Sequence, residues 1–82
     1  MIINGLVADP SGRPVAGAVV LVADSPQPVP DIAALTGEDG RFSIVVPAPG
    51  NYRLVVRRDG DSVEVAAHVG PSGADLRIAL PG

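Results

Sequence analysis

The chain has no cysteine, no tryptophan and no lysine, and its single histidine is His68. Without cysteine, neither a disulfide nor a thiolate zinc site can staple the fold. Phe42 and Tyr52 are the only aromatic residues, so the core must be aliphatic. Long apolar runs are missing as well. The longest apolar-plus-glycine stretch, residues 16–23, is far shorter than the roughly 20 residues a membrane-spanning helix needs, so no membrane insertion is expected. The opening Met1-Ile2-Ile3-Asn4-Gly5-Leu6-Val7 lacks the basic start, apolar stretch and cleavage site of a signal peptide. If Met1 is the native start, the expected location is the cytoplasm or a route of export without a cleaved signal. If the chain is a module of a larger secreted protein, the location is extracellular or periplasmic. Positive charge is scarce. The net charge of −3 and pI near 4.7 argue against a nucleic-acid surface.

What is present points to strands. With 82 residues, 46% of them apolar, the chain is expected to form a single domain over residues 1–82 with a buried core. Thirteen valines and five isoleucines favour extended backbone, and ten glycines and nine prolines interrupt the chain too often for long helices. An all-arginine basic set with abundant Ala, Gly, Val and Pro hints at a GC-rich bacterial genome.

Period-two alternation divides the chain into short strands separated by turn chemistry. Residues 2–9 form the first and end in Asp9-Pro10-Ser11-Gly12, a strong turn signal. Residues 16–23 form the second, with Ala18, Val20 and Val22 on one face. Pro26, Pro28 and Pro30 make residues 24–31 an extended surface loop, and a weak helical period covers 30–35. Residues 32–36 and 41–46 flank Asp39-Gly40, which predicts a hairpin with Glu38 opposite Arg41 and Leu35 opposite Ile44. Phe42, Ile44 and Val46 then share its inner face. A second two-residue hairpin at Asp59-Gly60 pairs Val56 with Val63, Leu54 with Val65 and Tyr52 with Ala67. On its outer face Glu64 falls opposite Val55, within reach of Arg53 and Arg57 for weak ion pairing. Residues 70–73 form a turn, and 74–80 supply a last strand with Leu76, Ile78 and Leu80 on one face. About seven strands at this spacing predict an all-β sandwich.

Three stretches resemble a known family. Ile3-x-Gly5-x-Val7-x-Asp9-x-x-Gly12-x-Pro14-x-x-Gly17-Ala18-x-Val20 is similar to the opening of carboxypeptidase regulatory-like domains. Thr36-x-x-Asp39-Gly40-x-Phe42 resembles their middle signature, and Pro47-x-Pro49-Gly50-x-Tyr52-x-Leu54-x-Val56 resembles the strand that follows. The resemblance implies a seven-stranded Greek-key β-sandwich of transthyretin-like (prealbumin-like) type, related in shape to Cna B-type adhesin domains. Within it, Gly12, Gly40 and Gly60 sit where turns need positive φ. Phe42 and Tyr52 fill the core, and the Tyr52 hydroxyl needs a backbone partner if buried.

Chemistry known from related folds fails on composition. Transthyretin-like hydrolases use several histidines and a Tyr-Arg-Gly-Ser tail, whereas this chain has His68 alone and ends Leu80-Pro81-Gly82. Ring-cleaving dioxygenases bind iron with two tyrosines and two histidines, and one of each exists here. The Lys–Asn isopeptide bond of Cna B-type adhesins has no lysine to form it. His68 alternates outward with Glu64 and Ala66, and none of Ser11, Ser25, Ser43, Ser62 and Ser72 lies in a Gly-x-Ser-x-Gly context. The Asp-Gly pairs are explained by turn geometry without calcium, since no loop carries the spaced acids an EF-hand uses. The expectation is therefore no enzyme, with no catalytic residue, cofactor, metal or small-molecule substrate.

One feature exceeds a plain sandwich. Val19, Leu21, Val45 and Val55 are apolar at outward positions, and Leu6 and Ala66 could join them. Clustered on one sheet they would form a contact patch; the alternative is cover by the proline-rich loop or the chain ends. The expected function is a non-catalytic structural or interaction module, an accessory or assembly subunit. It would dock on another protein or on copies of itself through a sheet face or an edge strand. The competing reading is a carbohydrate- or cell-surface-binding module of a larger secreted protein. That reading needs exposed aromatic faces, and both aromatics fall on inner positions.

Overall fold

In the computed structural model, residues 1–26 and 33–80 are described. Seven strands follow in order: β1 (Ile2–Ala8), β2 (Val19–Asp24), β3 (Ala33–Leu35), β4 (Arg41–Val45), β5 (Gly50–Arg58), β6 (Asp61–Val69) and β7 (Ala74–Ala79). They form a three-stranded sheet ordered β4-β1-β7 and a four-stranded sheet ordered β3-β2-β5-β6. The all-β sandwich expected from the sequence is the fold of the molecule. Only β2–β3 and β5–β6 of these strands are neighbours both in sequence and within a sheet, so every other connection crosses from one sheet to the other; β1 and β7, the first and last strands, pair in parallel.

Alternation decides what is buried. Ile3 and Val7 of β1, Val20 of β2, Phe42 and Ile44 of β4, Tyr52, Leu54 and Val56 of β5 and Ile78 of β7 converge between the sheets, joined by Val15, Val46, Val69 and Leu80. The β5–β6 register is the predicted one: Val56 faces Val63, Leu54 faces Val65 and Tyr52 faces Ala67. Its turn differs in one detail. Gly12 and Gly40 have φ of 87° and 75°, but in the 59–60 turn Asp59 (φ 53°), not Gly60, takes the left-handed conformation. A short polar side chain tolerates that region better than other non-glycine residues do.

The predicted hairpin across Asp39-Gly40 does not form. Leu35 pairs with Val19 in the four-stranded sheet, and Ile44 pairs with Ile3 in the other, so these residues belong to different layers. The turn itself is present: Gly40 donates to the Gly37 carbonyl, Gly37 to the Arg41 carbonyl, and the Arg41 amide to Asp39 Oδ1. Backbone contacts to β1 redirect the chain after it. The Val7 amide donates to the Gly40 carbonyl at 2.8 Å, and a Cβ on Gly40 would lie 2.6 Å from the Val7 carbonyl oxygen. Turn chemistry specifies a reversal, not which sheet each flank joins.

Thr36 fixes the crossing at the end of β3. Buried, its hydroxyl donates to the Val15 carbonyl at 2.6 Å and accepts from the Ala18 amide at 2.9 Å. Most of the predicted proline-rich loop, and the start of the weak helical period, fall on residues 27–32, outside the described residues. Ala33–Leu35, within that helical period, is a strand.

Candidate functional site

On the outer face of the four-stranded sheet, cross-strand pairing sets apolar residues side by side. Val19 lies between Leu35 of β3 and Arg57 of β5, and Leu21 lies between Ala33 and Val55. Directly opposed residues share a face, so Leu35, Val19, Leu21 and Val55 make one apolar strip across β3, β2 and β5. Val19, Leu21 and Val55 are half-buried in it, and Leu35 stands out with 67% of its surface exposed. Arg53 and Arg57 border the strip on β5, and Ala66 continues it beyond Arg53 onto β6.

Three of the four residues singled out from the sequence, Val19, Leu21 and Val55, are therefore brought together, and Val45 is not. Val45 lies on the outer side of the three-stranded sheet, opposite Ile2, and the two are 69% and 47% exposed. Its place follows from the pairing of β4 with β1. Leu6 is on that sheet too, between Arg41 and Arg77. Sequence reasoning missed Leu35. Its signal, an apolar side chain directly before Thr36, is absorbed by the expected hairpin, which sets it against Ile44.

The outer side of the three-stranded sheet also has an open depression of about 710 Å³ over Asn4, Leu6, Arg41, Ser43, Asp75 and Arg77. Its polar groups are partly engaged with one another and with the adjoining turn: Ser43 Oγ donates to Asn4 Oδ1 at 2.6 Å, and the Arg41 guanidinium lies 3.8 Å from Asp39.

The residues weighed for catalysis are dispersed. His68 is exposed, with Nδ1 2.9 Å from Asn51 Oδ1. Tyr52, on the opposite face of the same sheet, is buried, and its hydroxyl donates to the Ala48 carbonyl at 2.6 Å, the backbone partner its burial requires. The single tyrosine and single histidine thus point to opposite sides of the sheet. Asp9 organises its own turn: its Oδ1 accepts from the Ser11 hydroxyl and from the amides of Ser11 and Arg13. The Ser11 hydroxyl first, and then the Arg13 amide, hold its carboxyl below the ordinary value of 3.8. Glu64 faces Val55 as expected, but no ion pair to Arg53 or Arg57 forms. Among the described residues, no group of three histidine or acidic side chains could hold a metal ion, and no helix is long and apolar enough to cross a membrane.

The profile of the carboxypeptidase regulatory-like domain matches residues 2–81. The chain belongs to this family. The residues that carried the resemblance have structural roles in this carboxypeptidase regulatory-like domain: Thr36 and Gly40 at the sheet crossing, Phe42 and Tyr52 in the core. No curated protein matches the chain. Among solved structures, the domain is similar to a type II cohesin–X-dockerin complex from Acetivibrio cellulolyticus, a C-terminal interface mutant. The TM-score is 0.69 at 18% identity, covering 98% of this chain and 56% of that one. It is also similar to chlorocatechol 1,2-dioxygenase from Pseudomonas putida, with TM-score 0.72, 15% identity and coverage of 99% and 59%. A DUF3823 family protein from Parabacteroides merdae gives TM-score 0.59, 20% identity and coverage of 98% and 44%. These likenesses establish a shared fold. The domain spans roughly half the length of each of these chains.

Proposed function

We propose that this carboxypeptidase regulatory-like domain is a non-catalytic interaction module that docks on another protein, or on copies of itself, through the outer face of its four-stranded sheet. The observation that carries the reading is the side-by-side placement of Val19, Leu21 and Val55 beside the exposed Leu35. An apolar strip rimmed by arginines has the composition of an interface centre, where apolar side chains bury area and arginine is favoured over lysine. The cohesin–X-dockerin likeness supports the reading only as an example of this fold in a protein complex.

The reading as an enzyme has little to stand on: the serines, the histidine and the tyrosine do not converge, and the dioxygenase likeness extends to the fold. The carbohydrate reading lacks an aromatic platform, because Phe42 and Tyr52 are both buried. Methyl-resolved NMR over a concentration series tests the proposal. Shifts should move at Val19, Leu21, Leu35 and Val55 and not at core methyls such as those of Leu54, and Leu35→Glu should suppress the movement. Movement confined to other surfaces would overturn it.

A further inference from the structure

Three positions set an acid or amide side chain directly before glycine: Asn4-Gly5, Asp39-Gly40 and Asp59-Gly60. In such a pair the glycine amide nitrogen can reach the preceding side-chain carbonyl carbon, because no Cβ shields it. Folding occupies the reacting groups at the first two positions and leaves them open at the third. Gly5 is buried in the central strand of its sheet, paired with Phe42 and Leu76, and Asn4 Oδ1 accepts from Ser43 Oγ. Gly40 is also buried; its amide donates to the Gly37 carbonyl, and Asp39 Oδ1 accepts from the Arg41 amide. At the third position Asp59 and Gly60 are both exposed. Neither the Gly60 amide nor the Asp59 carboxylate has a hydrogen bond or ion pair among the described residues. A Cβ built on Gly60 would meet nothing within 4 Å, so water has free access.

Backbone geometry favours the attack as well. Positive φ at Asp59 (53°) and not at Gly60 makes the two-residue loop a type II′ turn, in which glycine usually holds the first central position. In the ideal form of that turn, ψ of the first central residue is about −120°. Its Cβ is then nearly eclipsed with the next nitrogen, the planar arrangement that a five-membered ring through Cβ, Cγ and that nitrogen requires. We propose that Asp59 is a modification site, converting spontaneously to isoaspartate through a succinimide while the protein stays folded. The proposal is independent of the contact face. The Gly60 nitrogen adds to Cγ of the protonated Asp59 carboxyl: an N–Cγ bond forms, a C–O bond breaks, and the amide hydrogen and the hydroxyl leave as water. A water molecule then opens the ring. Addition at the main-chain carbonyl breaks its bond to the Gly60 nitrogen and gives isoaspartate, with Cβ and Cγ in the main chain and a free α-carboxylate. Addition at Cγ restores aspartate. Nothing is oxidised or reduced, and the final mass is unchanged. The product carries one more main-chain carbon in the loop whose length sets the β5–β6 register.

Ageing the intact chain at physiological temperature and neutral pH, in parallel with and without denaturing urea, tests the proposal. Peptide mapping with electron-transfer fragmentation locates isoaspartate residue by residue, and methylation by a protein isoaspartate methyltransferase measures its total. In the folded chain isoaspartate should accumulate at residue 59 about tenfold ahead of residue 39, whose turn must first give up its hydrogen bonds. In urea, where both turns are lost, the two Asp-Gly pairs should react at comparable rates, and residue 59 should react no faster than it does in the folded chain. Gly60→Ala fits the open space without positive φ, and should slow the reaction at residue 59 while leaving residue 39 unchanged. Absence of isoaspartate at residue 59 in the folded chain overturns the proposal. So do equal folded-state rates at residues 39 and 59, or a rate at residue 59 that rises on unfolding.

Discussion

The ring of Phe42 lies over Gly5, its direct partner across the β1–β4 pair, so closely that a methyl group on Gly5 would collide with it. The glycine is here for space, since its φ is not positive. Gly5→Ala should therefore destabilise by about 1–3 kcal/mol, the usual cost of overpacking a filled core. Because the two residues touch, Gly5→Ala combined with Phe42→Leu should cost less than the sum of the single changes. Urea unfolding of the four proteins measures this.

Thr36 ties two backbone groups of the β1–β2 connection to the end of β3, inside the protein. Thr36→Val keeps the volume and removes the hydroxyl, leaving the Ala18 amide and the Val15 carbonyl without that partner. The expected loss is about 1–3 kcal/mol. Thr36→Ser keeps the hydroxyl and should stay within about 1 kcal/mol of wild type. Equal losses in the two variants would mean that the hydroxyl is not what secures the crossing.

How far the sequence foretold this molecule depends on whether the information was local. The β5–β6 register was legible to the residue, because a two-residue loop and strict alternation leave one pairing with all-apolar inner partners. The identical argument failed at Asp39-Gly40. There the flanking strands part into different sheets, a choice made by hydrogen bonds from β1 and by Thr36, both distant in sequence. Which sheet each strand joins also decides which outward apolar residues become neighbours. Val45 groups with Val19, Leu21 and Val55 in the sequence only because each is apolar at an outward position of its own strand. With β4 on β1, its neighbour is Ile2, and Leu35 takes its place. The faces of individual strands were readable; which strands share a sheet was not.

Folding lowers the Asp9 carboxyl through the Ser11 hydroxyl and the Arg13 amide. A group depressed in this way stabilises the fold above its unfolded pKa, and the contribution is lost as the pH falls through the folded value. Asp9→Asn should thus lower the melting temperature at neutral pH. The gap from wild type should be constant down to about pH 4, then shrink with further acid. Thermal melts of both proteins at matched ionic strength show this; a gap independent of pH would remove the ionised carboxylate from the explanation.

The Tyr52 hydroxyl bond to the Ala48 carbonyl secures the turn before β5. Tyr52→Phe leaves the core packing in place and should cost about 0.5–1.5 kcal/mol. Faster hydrogen exchange confined to the residues around Ala48 and Gly50 would locate the loss in that turn.

The central claim is that the outer face of the four-stranded sheet is a contact surface. Molar mass by light scattering after size exclusion, over a wide concentration range, tests it most directly for wild type, Leu21→Glu and Val55→Glu. The account predicts that wild type associates as concentration rises, and that either glutamate reduces this association while the thermal transition shows the chain still folded. Equal masses for all three proteins at every concentration would contradict it.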